Sequence, residues 1–354
     1  MFLLRRWLTV NKKNRTAVGI AAGAGLAISG AALAVGALYT EVLTTVVARR
    51  RTPYSDAIVA MVSGHEPQPL APEMIAKAQE LKDAPTETIA IRSRDGYVLR
   101  AHWYPVENAR RAVIMVHGRH SDWSLNFSEI APFLREKGCS LLFVDLRSHG
   151  ESGGDLISFG INERYDILLW LKWLKTRHPD LPAYLWGFSM GASTVLMTAS
   201  MPISKQICGI IADSGYSTPY EMVKLGMKKN VGKLTAPTLA AVNLNCKLRG
   251  GFTFKDYSPV QAMVLNKDIP CLFIHGDADT VVPWRMSVEN FYACQAPKDL
   301  LTISGAEHGK AFSVDPTRYR KKVLEFFAAY DPPPPLPPPT IEKKRGFGRK
   351  RGKA

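Results

Sequence analysis

Short apolar runs alternate with helical patterns over the central and larger part of the chain. The runs are TIAIRS, YVLRAHWY, AVIMVHG, SLLFVDL, AYLWGFS, ICGIIADS, PCLFIHG and LLTISG. The first two are typical of a hairpin, and the later ones are apolar throughout, as expected of strands buried on both faces. The pattern predicts an α/β domain over residues 86–330, with a mostly parallel eight-stranded sheet flanked by helices.

One interval in this pattern is too long for a simple connection between two strands. It runs from Tyr216 to Met263 and has helical spacing interrupted by glycine and proline. Long insertions in compact domains are usually functional. We therefore expect a short helical cap at about residues 216–262, placed over an active site.

A different apolar pattern lies near the amino terminus. Residues 17–40 carry no charged side chain, and about 20 apolar residues are enough to cross a bilayer. The basic segment 1–16 precedes them, and arginines at 49–51 follow. These features predict a single transmembrane helix that acts as a signal anchor and leaves the folded domain outside the cell. Cleavage after the small residues at 46–48 is the alternative.

Two further segments connect or extend these elements. Residues 41–85 contain helical patterns broken by proline and are expected to form a connector to the domain. Residues 331–354 begin with a proline run, typical of a stiff spacer, and end in a basic tail. The tail is expected to contact anionic lipid or an anionic wall polymer, or to be a solvated end without a specific role.

Composition limits the kinds of partner. The net charge is +15, and most of the excess lies in residues 1–51 and 340–354. The central domain is therefore close to neutral, which argues against a nucleic-acid partner. The five cysteines include no C-x-x-C pair, so neither a disulfide framework nor a zinc site is indicated. No metal or organic cofactor is expected.

The strongest chemical signal is the pentapeptide Gly187-Phe188-Ser189-Met190-Gly191, between a predicted strand and a predicted helix. At such a turn the glycines are needed because the backbone is too tight for side chains, and the serine hydroxyl projects at the carboxyl edge of the sheet. The pattern predicts Ser189 as a nucleophile. The amide of Met190, at the start of the helix, is predicted to stabilise an oxyanion.

A serine nucleophile needs a base, which in folds with this turn follows the serine and the acid along the chain. Two histidines follow Ser189, namely His275 and His308. His308 comes after the last predicted strand, where a loop returns to the serine, and is the predicted base. His275 ends a strand and is expected to shape a turn.

Three aspartates are candidates for the acid that orients this base. Asp279 and Asp277 lie in the loop HGDADTVVP, and Asp213 ends the strand before the expected cap. Asp279 is favoured because it lies deeper in the loop, whereas Asp277 is expected to cap the loop. Asp213 remains an alternative. A second oxyanion amide should come from the loop after AVIMVHG, where Arg119 is the natural donor.

Seven motifs occur in order along the domain: HGRH, DLRSHGESGG, SFGINERYDILLWLKWL, GFSMGAS, ADSGY, HGDADTVVP and GAEHG. Together they resemble the alpha/beta hydrolase superfamily, in particular its serine aminopeptidase-like group, which includes membrane-anchored and exported bacterial members. The resemblance covers roughly residues 87–330. It implies the α/β-hydrolase fold, the triad Ser189, Asp279 and His308, the oxyanion amides of Arg119 and Met190, and structural roles for Asp145, His149, Gly150 and Gly160.

One departure from the family pattern concerns the residue after the His-Gly pair. Similar proteins often have a smaller or an aromatic residue where this chain has Arg119. The arginine either places a cation near the site, favouring an anionic acyl or head group, or points to solvent.

The predicted reaction is acyl transfer to water from a carboxylic ester of a small molecule or a lipid. A peptidase, an aminopeptidase or a thioesterase on the same triad is the alternative. An aminopeptidase would need acidic residues in the cap to bind an amine, and Glu221 is nearly alone among basic residues there. A hypothesis of another class is a degenerate hydrolase fold that binds at the membrane or wall.

Overall fold

The structure of the protein is a computed structural model, which describes residues 36–45, 47–48, 71–203 and 206–333. The basic segment 1–16, most of the predicted transmembrane helix 17–40 and the tail beyond residue 333 lie outside the described residues. Within the described part of the chain, no helix combines the length and the apolar character that crossing a bilayer requires.

Eight strands of the described chain form one sheet and coincide with the eight apolar runs. They are β1 (Glu87–Arg92), β2 (Val98–Tyr104), β3 (Arg111–Val116), β4 (Cys139–Val144), β5 (Ala183–Phe188), β6 (Gly209–Asp213), β7 (Cys271–Gly276) and β8 (Lys298–Ile303). Their order in the sheet is β1-β2-β4-β3-β5-β6-β7-β8. The β1–β2 and β2–β4 pairs are antiparallel and the remaining pairs are parallel. The predicted mostly parallel eight-stranded sheet is confirmed.

Helices cover both faces of this sheet. They are α1 (Pro72–Lys82), α2 (Trp123–Phe127), α3 (Ala131–Glu136), α4 (Glu163–Arg177), α5 (Met190–Thr198), α6 (Pro219–Val231), α7 (Thr235–Gly250), α8 (Pro259–Leu265), α9 (Arg285–Ala293), α10 (Ala311–Val314) and α11 (Pro316–Tyr330). Alternate side chains of β3 enter different cores, since strand side chains alternate between faces. Ile114 packs with the core that contains Leu171 and Val195, and Met115 with the core that contains Leu134 and Phe327.

Several helices begin at a cap residue followed by proline. Thr218, Ser258 and Asp315 precede α6, α8 and α11, and each side chain accepts a hydrogen bond from the amide three residues later. Proline suits the first helical position because its missing N–H has no intrahelical partner there. These local signals explain why α6 begins at Pro219, shortly after β6 ends, and why α8 and α11 begin at Pro259 and Pro316.

The helices α6 and α7, joined by a 3-10 turn at Gly232–Leu234, lie in the long interval after β6; we call residues 216–258 the inserted segment. A helical stretch at residues 36–45 and 47–48, the N-terminal segment, contacts it. Arg249 Nη1 donates to both oxygens of Glu41 at 2.8 and 2.7 Å. Asn245 Nδ2 donates to Thr44 Oγ1 at 2.9 Å. The N-terminal segment therefore packs against α7.

Candidate active site

The turn from β5 into α5 carries Ser189 at the carboxyl edge of the sheet. Ser189 has φ 54° and ψ −115°, a conformation that side-chain-bearing residues rarely adopt. A Cβ atom on Gly187 would overlap the backbone of Gly191, and one on Gly191 would overlap the carbonyl oxygen of Val116. Space therefore requires both glycines of the pentapeptide, and the compressed turn fixes the direction of the serine hydroxyl.

His308, in the loop after β8, lies between the hydroxyl of Ser189 and the carboxylate of Asp279. Its Nε2 is 3.0 Å from Ser189 Oγ, and its Nδ1 is 2.6 Å from Asp279 Oδ2. Both distances are within hydrogen-bond range. A ring held in this way can accept a proton from the hydroxyl on Nε2 while Nδ1 donates to the carboxylate.

Asp279 is buried, and hydrogen bonds surround its carboxylate. Oδ1 accepts from the amides of Val281 and Val282 at 2.9 and 2.8 Å. Oδ2 faces both His308 and His275. Burial favours the neutral acid, but the hydrogen bonds from the two histidines outweigh it and hold the pKa of Asp279 well below its usual range. The carboxylate stays ionised at neutral pH and can balance a positive charge on the His308 ring.

His275 has a role that sequence reasoning missed. The sequence predicts that it shapes a turn, but its ring is buried at the end of β7 and links Asp279 to α9. Nε2 is 3.1 Å from Asp279 Oδ2 and 2.9 Å from Val282 O, and Nδ1 is 2.6 Å from Ser287 Oγ. Because a carbonyl oxygen only accepts, Nε2 carries a proton, which faces both Val282 O and Asp279 Oδ2. The sequence signal that could have indicated this role is the position of His275, four residues before the favoured acid Asp279.

The two alternative acids have other partners. Asp277 Oδ1 accepts a hydrogen bond from the amide of Gly305 at 2.7 Å, which braces the loop that carries His308. Asp213 accepts from the hydroxyls of Tyr319 and Ser214 at 2.7 and 2.8 Å, and burial raises its pKa. Of the three carboxylates, Asp279 is the one that meets His308.

In the loop after β3, the amides on either side of Arg119 are hydrogen-bonded, whereas the amide of Arg119 has no partner among the described residues. The amide of Gly118 donates to Asn126 Oδ1 at 2.7 Å, and that of His120 donates to His149 Nε2 at 3.0 Å. The amide of Arg119, between them, has no hydrogen-bond partner in the described part of the chain. The side chains of Asn126 and His149 thus hold the loop on both sides of a free donor.

This loop lies directly against the serine. A Cβ atom on Gly118 would be 3.2 Å from Ser189 Cβ. On the other side, Met190 is the first residue of α5, and amides in the first turn of a helix lack an intrahelical acceptor. The predicted oxyanion donors, Arg119 and Met190, therefore flank Ser189 in the chain segments that approach it.

Two buried histidines stabilise the same loop in their neutral form. His117 Nδ1 donates to Gly118 O at 2.7 Å, and His149 Nδ1 donates to Arg147 O at 2.9 Å. Burial lowers the pKa of His117. Burial, together with the nearby His117 ring, holds the pKa of His149 well below its usual range. His149 Nε2 therefore stays available to accept from His120.

The surroundings of the site include a cavity of about 190 Å³ next to His308, lined among others by Phe188, Leu125 and Lys310. Among the residues that the structure describes, no cluster of three or more histidine, cysteine or acidic side chains is arranged to hold a metal ion.

Comparison with known proteins places the fold. The model of the family described as serine aminopeptidase, S33 matches residues 107–264. A solved esterase of Pyrococcus furiosus, Pf2001, superposes with a TM-score of 0.56 at 24% identity and covers 75% of this chain and 97% of its own. This chain belongs to the alpha/beta hydrolase superfamily. The expected family resemblance is thereby confirmed.

Curated relatives of this alpha/beta hydrolase include two proteins described as uncharacterized. YqkD of Bacillus subtilis is 29% identical over 238 residues, covering 67% of this chain and 77% of the relative. YfhR of Salmonella typhi is 26% identical over 237 residues, covering 65% and 77%. The family match on this hydrolase contains Ser189 and Arg119, whereas Asp279 and His308 lie beyond its end.

Proposed function

We propose that this hydrolase is a serine esterase that transfers the acyl group of a carboxylic ester to water. The observation that carries the proposal is the chain of hydrogen-bond distances from Ser189 Oγ through His308 to Asp279 Oδ2, 3.0 and 2.6 Å. A serine hydroxyl becomes an effective nucleophile when a base takes its proton and a carboxylate orients that base. An ionised Asp279 supplies that orientation.

The reaction follows from these positions. His308 Nε2 removes the proton from Ser189 Oγ as the oxygen attacks the ester carbonyl carbon. The negative charge on the carbonyl oxygen is received by the amides of Arg119 and Met190, each worth about 2.7–4 kcal/mol if such a donor behaves as in other serine hydrolases. His308 then gives its proton to the departing alcohol. A water molecule, deprotonated by His308, attacks the acyl carbon and releases the acid with Ser189 restored.

The inserted segment favours an ester over a peptide with a free amino terminus. Its two carboxylates are both engaged: Glu221 pairs with Lys224 at 3.1 Å, and Asp256 accepts from the hydroxyl and the amide of Thr253. A site for a substrate ammonium group needs a carboxylate that faces it. The solved neighbour described as an esterase agrees with this choice of substrate, and we regard the inserted segment as the cap that sets specificity.

The decisive experiment is labelling with a fluorophosphonate, followed by hydrolysis of 4-nitrophenyl butyrate. We expect the wild type to be labelled and active, Ser189→Ala to be neither, and the surface variant Ser313→Ala to match the wild type. An unlabelled, inactive wild type would favour a binding protein with a degenerate site. Activity on aminoacyl amides or thioesters that exceeds activity on oxygen esters would favour the peptidase or thioesterase alternative.

The location is a second, separate proposal. We propose that residues 17–40 anchor the chain in a membrane with the hydrolase domain outside the cell, supported by their lack of charge and their basic flanks. Extraction of membranes with alkaline carbonate should leave the full chain in the pellet, and protease added to intact spheroplasts should degrade the domain. Complete protection of the domain would contradict the external placement.

A further inference from the structure

We propose that the Arg119 side chain forms an anion-binding subsite beside Ser189, so that the natural ester carries a carboxylate or a phosphate group. The inference rests on the esterase function proposed above and deepens it, because it names a class of ester. Arg119 serves here through its guanidinium, which is a different group from the amide assigned to the oxyanion.

The Arg119 side chain leaves the backbone close to the nucleophile. The preceding residue, Gly118, lies against Ser189, with 3.2 Å between Ser189 Cβ and a Cβ atom built on the glycine. The arginine therefore leaves the backbone one residue from the closest approach to the nucleophile. An ester bound at Ser189 that extends along this loop on its acyl or alcohol side would meet this side chain.

Two contacts hold the guanidinium without neutralising it. Arg119 Nη1 donates to the carbonyl oxygen of Val47 in the N-terminal segment at 3.2 Å. The guanidinium carbon lies 5.6 Å from the centre of the Phe159 ring, a distance typical of a cation–π contact. A carbonyl and an aromatic face orient the group but leave its full charge available.

Arg119 has no acidic partner: among the described residues, no carboxylate lies within ion-pairing distance of it. Two buried arginines of the described chain are paired instead. Arg111 pairs with Asp331, and Arg147 pairs with Asp95 and Asp166. An arginine that is positioned but unpaired is what recognition of an incoming anion requires, because the planar guanidinium binds carboxylate and phosphate oxygens through paired donors.

Arg119 is accessible to solvent. The surrounding protein nevertheless lowers the pKa of its side chain by desolvation, an effect that Tyr216 partly opposes. Attraction between unit charges is stronger next to protein that excludes water than in bulk water.

The inserted segment adds a favourable long-range field. Its only acidic residues in the sequence are Glu221 and Asp256, and its basic residues are more numerous: Lys224, Lys228, Lys229, Lys233, Lys247, Arg249 and Lys255. A positively charged segment near an active site raises the local concentration of anionic substrates. This field and Arg119, which has no acidic partner among the described residues, both favour a negatively charged substrate.

The test compares matched esters that differ in charge alone. For the acyl side we would use 4-nitrophenyl monoadipate against its methyl ester, and for the alcohol side 3-acetoxybenzoate against its methyl ester. The quantity of interest is the ratio of kcat/KM for the anionic member to that for the neutral member. Because both members use the same oxyanion amides, any general loss of catalysis cancels in the ratio.

We expect Arg119→Gln to lower this ratio about tenfold or more for at least one pair, which corresponds to roughly 1.4 kcal/mol. Arg119→Lys should retain part of the ratio, because it keeps the positive charge but loses the paired donors. The pair of esters that responds identifies the side of the ester that carries the charge. The matched control is Arg285→Gln, an exposed arginine that pairs with Glu289, for which we expect the wild-type ratio. An unchanged ratio for both pairs in Arg119→Gln would overturn the subsite and leave the esterase function intact.

A binding measurement separates this inference from catalysis. Calorimetric titration of monomethyl adipate or 3-hydroxybenzoate into Ser189→Ala should give an affinity that falls about tenfold on addition of Arg119→Gln. Equal affinities in the two proteins, or no binding of either anion, would refute the subsite. Failure of the esterase function itself shows differently, as a wild type that fluorophosphonates do not label.

Discussion

His275 Nε2 lies 3.1 Å from Asp279 Oδ2, the carboxylate oxygen that also faces the His308 ring. The proposed acid is therefore oriented from behind by a second histidine, which donates to it from the end of β7. A hydrogen bond to a charged group contributes about 1.5–3 kcal/mol. His275 acts through Asp279 and is a positioning residue.

The first prediction follows from this contact. Replacing His275 by leucine should lower kcat for 4-nitrophenyl butyrate by about tenfold or more, with a much smaller change in KM, because Asp279 loses a donor that orients it. Ser287→Ala, which removes the partner of the other ring nitrogen, should have a weaker effect of the same kind. A His275→Leu protein that folds normally and keeps kcat within twofold of the wild type would refute the positioning role.

The second prediction distinguishes the candidate acids. Asp279→Asn should lower kcat by about 10³–10⁴, since an amide cannot hold His308 in the required tautomer. Asp213→Asn should instead lower the melting temperature, because it disturbs the buried hydrogen bonds with Tyr319 and Ser214, and should keep most of kcat. The reverse pattern, a large loss of kcat in the Asp213 variant alone, would assign the acid to Asp213.

The third prediction concerns pH. The pKa of His149 is lowered in the folded protein by burial, whereas the unfolded chain titrates near 6.5. Below pH 6.5 the unfolded state therefore binds more protons, and folding stability should fall by about 1.4 kcal/mol per pH unit for each such group until the folded-state pKa is reached. Above pH 6.5 this contribution is fully present.

Thermal unfolding between pH 5 and 8 measures the effect. His149→Gln keeps an oxygen acceptor for the amide of His120 but does not titrate, and we expect it to show a shallower loss of stability on acidification than the wild type. His117 also has a lowered pKa, so part of the slope should remain. Parallel curves for the two proteins would contradict the assignment.

The fourth prediction concerns the N-terminal segment. Val47 O accepts from Arg119, and Ala48 O accepts from the amide of Ile157 at 2.6 Å. A chain that begins at residue 71 loses both contacts, so we expect lower kcat/KM and a lower melting temperature than for a chain that begins at residue 36. Identical values for the two chains would show that the segment contributes nothing to the site.

Much of the fold could be predicted because its determinants are local. The strands β3 to β7 are largely apolar, since both of their faces are buried, and this produces a signal within a few residues. The turn at Ser189 needs glycine at Gly187 and Gly191 for reasons of space that any chain with this turn shares. Chain order then pointed to His308 and Asp279.

The contacts that were missed depend on how the chain folds back on itself. His275 and Asp279 are only four residues apart, but their contact requires the loop after β7 to fold back so that Asp279 Oδ2 and Val282 O both face the His275 ring. The hydrogen bond from Arg119 to Val47 spans 72 positions, and neither periodicity nor a motif reports such a pairing. Whether the Arg119 side chain met an acidic partner was likewise undecidable before its neighbours in space were known.

The hydrogen bond from Arg119 to Val47 limits the distance between the loop after β3 and the predicted transmembrane helix. If residues 17–40 cross a bilayer, Val47 follows seven positions later, and a path of 1.5 Å per residue would keep its carbonyl within about 10 Å of the end of that span. The loop after β3, which contacts Val47 through Arg119, would then lie near the phospholipid headgroups. A lipid ester would arrive by lateral diffusion within the leaflet, and turnover would follow its mole fraction in the surface instead of its bulk concentration.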